Sequence, residues 1–124
     1  MVFEMLTTPT SPHVIIDHEK GYILIKGNLT VEIDTIAPQI INAIREYLKQ
    51  PQPFTLMELH LTMYPESRRG CFLEMFRMLE KHFKDNRNAF LCKWHSEEGD
   101  TDVMNDGDDF ASIIKLNFDQ IIDQ

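Results

Sequence analysis

From Thr55 to Met63 the side chains alternate: Thr55, Met57, Leu59, Leu61 and Met63 fall on one side, Leu56, Glu58, His60 and Thr62 on the other. A period of two predicts a strand with its more apolar face packed on a helix layer. The mixed second face is not what a strand covered on both sides carries, so partial exposure is expected there. A polar corner follows, Tyr64-Pro65-Glu66-Ser67-Arg68-Arg69-Gly70. Beyond it Phe72, Phe76, Leu79 and Phe83 recur at helical spacing, with Leu73, Met75 and Met78 broadening the stripe. That predicts an amphipathic helix from Cys71 to Lys84, closed by Asp85-Asn86-Arg87-Asn88. The stripe of Met and Phe is read as core.

The same reading extends to the rest of the chain. Residues 1–12 carry two prolines and four threonine or serine residues and are expected to form a loose lead-in. Val14-Ile15-Ile16 and Tyr22-Ile23-Leu24-Ile25 flank the polar loop Asp17-His18-Glu19-Lys20-Gly21, a hairpin signal, and Gly27-Asn28 ends the second strand. Asp34 to Leu48 is predicted helical, with Ile36, Ile40, Ile41, Ile44, Tyr47 and Leu48 on one face. Asp34 or Thr35 would cap it, and Pro38 is expected in its first turn. Gln50-Pro51-Gln52-Pro53 links it to the strand at Thr55. Ala89 to Trp94 predicts a further strand, Ser96 to Asp102 an acidic loop, Val103 to Ile114 a helix weakened by Gly107, and Leu116 to Ile122 a last strand. The order ββαβαβαβ predicts an α/β fold: a single domain over 13–124 with a central mixed sheet flanked by helices.

Composition sets outer bounds. A chain of 124 residues, 43% hydrophobic and 26% charged, is long enough for one enclosed core. No apolar run approaches the roughly 18 residues of a membrane span, and the N-terminus lacks a signal-peptide pattern, so a cytoplasmic location is expected. The net charge of −8 argues against nucleic acid or an anionic membrane as partner. Cys71 and Cys92 have neither the spacing of a redox motif nor the density of a disulfide scaffold, and are read as reduced packing thiols.

Candidate chemistry is sparse. There is no GxSxG, P-loop, HExxH or Rossmann glycine pattern. His13, His18, His60, His82 and His95 are scattered, with no local clamp, so neither metal nor cofactor is expected. The acidic run Glu97, Glu98, Asp100, Asp102, Asp106, Asp108 and Asp109 fails as a calcium loop, because from Asp100 the ligand position holds Met104 and the glycine position Asn105. It reads as a solvated surface, with Glu97 to Asp102 a secondary docking candidate; Asp106, Asp108 and Asp109 could sit near a helix start, where carboxylates suit the dipole. The corner is the better site. It follows a strand and opens a helix, where amides welcome negative charge. Ser67 can cap that helix. Arg68 and Arg69 oppose its dipole unless an anion or acidic partner compensates. The partner-binding surface is therefore placed at Tyr64, Glu66, Ser67 and Arg68. The alternative is a small enzyme or ligand-binding domain using Glu58 and His60 on the polar strand face, which would form a concave pocket.

The sequence resembles the SiaC-type regulatory phosphoproteins, small bacterial domains, over about Pro12 to Ile122. The resemblance rests on the Gly27 turn, the strand–corner–helix unit, the strand ending at Trp94, the acidic loop, and Gly107-Asp108-Asp109-Phe110 leading to Leu116-Asn117-Phe118. It implies an architecture similar to STAS domains and a non-enzymatic switch. In such a switch a cognate kinase phosphorylates a threonine or serine at the corner, a phosphatase reverses this, and the unphosphorylated form can activate a diguanylate cyclase. The family corner looks like Asn-Thr-Ser-Ser, a variable residue and lysine. Here it is Pro65-Glu66-Ser67-Arg68-Arg69-Gly70. The phosphosite-equivalent position is Glu66, and Ser67 alone keeps a hydroxyl as possible phosphoacceptor. The family's Ser-Tyr-Pro-Glu stretch near the first helix retains only its acidic residue, around Leu29 to Glu32.

Overall fold

The computed structural model describes residues 2–8, 12–28, 33–63 and 69–124. Its elements in chain order are β1 (Val2–Met5), β2 (His13–Asp17), β3 (Tyr22–Asn28), α1 (Ile33–Tyr47), β4 (Thr55–Met63), α2 (Arg69–Phe83), β5 (Phe90–Glu97), α3 (Thr101–Ile113) and β6 (Phe118–Asp123), with a 3₁₀ turn, Arg87–Ala89, leading into β5. The six strands lie in one sheet in sequence order, β1 to β6. The pairs β1–β2 and β2–β3 are antiparallel; β3–β4, β4–β5 and β5–β6 are parallel.

This is the expected α/β domain with a mixed sheet. The first twelve residues differ from expectation, since Val2–Met5 forms an edge strand. Phe3 and Met5 alternate with Glu4, and both pack against the core. Two apolar residues in a four-residue strand are a short signal beside a proline- and threonine-rich segment.

Three right-handed crossovers stepping in one direction across a sheet must all lie on the same face. Accordingly α1, α2 and α3 share one face and leave the other open. The covered face carries Val14, Ile16, Ile23, Ile25, Met57, Leu59, Leu61, Phe90, Cys92 and Trp94, all buried. Against these pack Ile36, Ile40, Ile41, Ile44 and Tyr47 from α1, Phe72, Met75, Phe76, Leu79 and Phe83 from α2, and Val103 and Phe110 from α3. Phe76 lies at ring distances of 5.1, 5.2 and 6.4 Å from Phe110, Phe118 and Trp94, so α2 and α3 share one aromatic cluster. Both cysteines are free thiols; burial pushes the Cys92 thiol far up, which leaves it inert.

The entry to β4 is fixed by a polar knot. Tyr47 is fully buried; its hydroxyl lies 2.7 Å from the Thr55 hydroxyl and accepts the Gln52 N–H at 3.1 Å. Gly21 sits at φ +64°, and a Cβ there would meet the Phe54 carbonyl at 2.5 Å. Its own carbonyl accepts the Leu56 N–H at 2.9 Å, which sets the β3–β4 register.

Two local expectations change. Helix α1 begins at Ile33, so Pro38 falls in its second turn, and Asp34 and Thr35 lie inside the first turn rather than before it. Pro38 supplies no N–H to the carbonyl of residue 34; the strong apolar face of the helix outweighs that one lost bond. Helix α3 begins at Thr101, so Asp106, Asp108 and Asp109 fall in its body and do not meet the N-terminal dipole.

Glu80 ties α2 to the chain after α3. It accepts the Lys115 N–H at 2.6 Å and the Arg77 guanidinium at 3.0 Å. The Lys115 amide, with Arg77 second, holds its carboxyl below the usual value of 4.5. A carboxyl whose folded pKa is depressed stabilises the fold above its ordinary pKa and loses that effect as pH falls through the folded one. Glu80→Gln should therefore be less stable than the parent at neutral pH. The gap should close as pH drops below about 4.5 in urea unfolding series.

Candidate functional site

The corner joins the C-terminal end of β4 to the start of α2, between Met63 and Arg69. Tyr64, Glu66, Ser67 and Arg68 lie outside the described residues, and so does the expected cap at Ser67. Its flanks are placed: β4 is an interior strand between β3 and β5, and α2 packs on the covered face.

The polar side of β4 meets more partners than its own sequence shows. On the open face, parallel register sets Lys26, His60, His95 and Ile121 in one row and Leu24, Glu58, Lys93 and Asp119 in the next. The His60 and His95 rings stack with centroids 3.5 Å apart and planes 16° apart. On one side of this pair, Glu58 Oε2 lies 3.4 Å from His60 Nε2 and 3.6 Å from His95 Nε2. On the other, Asp123 Oδ2 lies 3.1 Å from His95 Nδ1 and 3.7 Å from His60 Nδ1. Burial, and next the neighbouring His95, lower the His60 pKa from its ordinary 6.5. Burial and the adjacent Glu58 carboxylate raise that of Tyr22.

A groove of about 330 Å³ opens beside this pair at the C-terminal ends of the parallel strands, lined by Lys26, Thr62, His60, His95, Glu97 and Asp123 among others. Ligands of open α/β sheets favour that end. Of the alternative site, Glu58 and His60 are thus brought together. His95 and Asp123 were missed, since His95 falls one residue past the predicted strand end at Trp94. The signal available was the continuing alternation of Leu91, Lys93, His95 and Glu97 against Phe90, Cys92, Trp94 and Ser96.

The acidic segment divides by role. Asp100 caps α3, accepting the Val103 N–H at 3.3 Å, and Asp102 stands in its first turn. Asp106 is buried. Glu97, Glu98 and Asp102 are exposed.

The SiaC family regulatory phosphoprotein model matches residues 5–122. The chain belongs to this family. Solved SiaC structures of Pseudomonas aeruginosa share its fold. A structure of the diguanylate cyclase SiaD in complex with its activator SiaC gives a TM-score of 0.87 at 17% identity, covering 98% of this chain and 99% of that one. Apo-SiaC gives 0.85 and a further SiaC structure 0.84, each at 17% identity and 98% of both chains. No curated protein matches the sequence. Membership places the chain among regulatory phosphoproteins. Among the described residues, no helix is long and apolar enough to cross a membrane.

Proposed function

We propose that this chain is a non-enzymatic switch of the bacterial cytoplasm that binds a cognate kinase and phosphatase and, in one state, a diguanylate cyclase. The observation that carries this reading is the match over nearly the whole of both chains to SiaC, a cyclase activator in complex with SiaD. The contact surface is Tyr64, Glu66, Ser67 and Arg68 at the corner, with the exposed part of Glu97 to Asp102 as a second area. At the position expected to receive phosphate stands Glu66. A carboxylate brings one charge against roughly 1.5 to 2 for a phosphate, so it imitates the modified state in part. Ser67 is the hydroxyl that can still take phosphate.

The test uses the products of the neighbouring genes, among which a kinase and a diguanylate cyclase are expected. A tagged chain should retain both proteins and raise the cyclase's product formation. If neither is retained and cyclase activity is unchanged, the reading fails. With kinase and ATP, one added phosphate by intact mass, lost in Ser67→Ala, assigns Ser67 as acceptor. No added mass, together with cyclase binding that changes in Glu66→Gln, assigns a state held by Glu66.

A further inference from the structure

We propose that the open face of the sheet carries a divalent transition-metal site formed by Glu58, His60 and His95, with Asp123 behind it orienting His95. Two residues on one strand at i and i+2 and a third directly across on its neighbour put three side chains on one small patch of a sheet. Glu58, His60 and His95 meet that condition, and one ligand atom from each lies within 4.8 Å of the others.

The polarity of the cluster calls for a cation. Asp123 can accept only from a ring nitrogen that carries hydrogen, so its oxygen 3.1 Å from His95 Nδ1 selects the Nδ1–H form of that ring; at 3.7 Å it is too far from His60 Nδ1 to bond it. His95 Nε2 then presents a bare lone pair on the side where Glu58 Oε2 and His60 Nε2 stand. Two acceptors, His95 Nε2 and Glu58 Oε2, face each other there at 3.6 Å, and His95 Nε2 is a buried atom with no hydrogen-bond partner. A proton on His60 Nε2 would serve Glu58 and leave His95 Nε2 as it is. One ion serves all three. With bonds of about 2.0–2.1 Å, a tetrahedral ion separates its ligand atoms by roughly 3.3–3.4 Å. The observed 3.4 and 3.6 Å from Glu58 Oε2 match that edge closely. The rings are nearly parallel, so their Nε2 lone pairs do not converge, and coordination requires both side chains to turn well out of the stack about χ1 and χ2.

Two imidazoles and a carboxylate suit zinc and its first-row neighbours better than magnesium or calcium, which prefer all-oxygen sets. Lys26 and Lys93, the cross-strand neighbours of His60 and Glu58, offset the two carboxylates, so affinity must come from coordination rather than from a field of negative charge.

The probe is Zn²⁺ alone, titrated by calorimetry into the full chain after chelation and dialysis. One equivalent should bind and raise the unfolding midpoint. Asp123→Asn should weaken binding about 10–100-fold by losing the orienting carboxylate. His60→Gln and His95→Gln should weaken it at least as much, while His82→Gln, an exposed helix histidine, should leave it unchanged. Histidine ring NMR of the unmodified chain guards against misfolded variants: zinc should move the His60 and His95 signals. Absence of stoichiometric binding, or shifts confined to His13, His18 or His82, would overturn the proposal.

Discussion

Trp94→Ala should lower the unfolding free energy by about 3–5 kcal/mol, the range for deleting a large buried aromatic. Trp94 is 1% exposed on the covered side of β5. Its ring packs 5.5 Å from Phe110 and 6.4 Å from Phe76, and its Nε1–H donates to the Val103 carbonyl at 2.9 Å. That bond adds about 1 kcal/mol of attachment between the sheet and α3. Since a domain of this size holds roughly 5–15 kcal/mol in all, the loss is a large share of it. Trp94→Phe keeps most of the ring and should fall between. Trp94 is the sole tryptophan, so the comparison belongs in circular dichroism against urea rather than in fluorescence. A midpoint unchanged in Trp94→Ala would mean that α3 is not docked on β5 as described.

Much of this packing could be read along the chain. The alternation from Thr55 to Met63 gives β4 with its observed ends, and the Phe72, Phe76, Leu79, Phe83 stripe gives α2, because each signal lies within one element. Their polar counterparts fared differently. Glu58 and His60 are two residues apart and were visible as neighbours, whereas His95 and Asp123 come from strands 35 and 63 residues beyond His60. Which residues oppose each other across parallel strands is decided by crossover length and helix packing, and no local pattern records it. The absence of a histidine clamp along the sequence was therefore a true statement about spacing and silent about the sheet. The corner at Tyr64 to Arg68 was found the other way round: position at a strand end and the family pattern marked it, while its geometry lies outside the described residues. Pro38 and Gly107 show a third case, where a residue's intrinsic preference pointed one way and tertiary packing the other.

Gly107 gives the second large effect, and its sign is the informative part. By helix propensity, Gly107→Ala should stabilise α3 by up to about 1 kcal/mol. In place, a Cβ would stand 2.6 and 2.7 Å from Cδ1 and Nε1 of Trp94 and 2.9 Å from Gln120 Oε1. The Gln120 amide can swing away. The indole cannot, being buried and held by its bond to Val103. Overpacking of this kind costs about 1–3 kcal/mol, so the net change should be destabilising. Gly70, exposed in the first turn of α2, has nothing within 4 Å of its virtual Cβ, and Gly70→Ala should gain a few tenths to about 1 kcal/mol. One substitution type thus carries opposite signs at two helical glycines. The cause can be isolated by repeating Gly107→Ala in the Trp94→Ala background. With the indole gone the collision disappears, the propensity gain remains, and the substitution should turn from harmful to favourable. If it stays harmful there, close approach to Trp94 is not why this helix carries glycine.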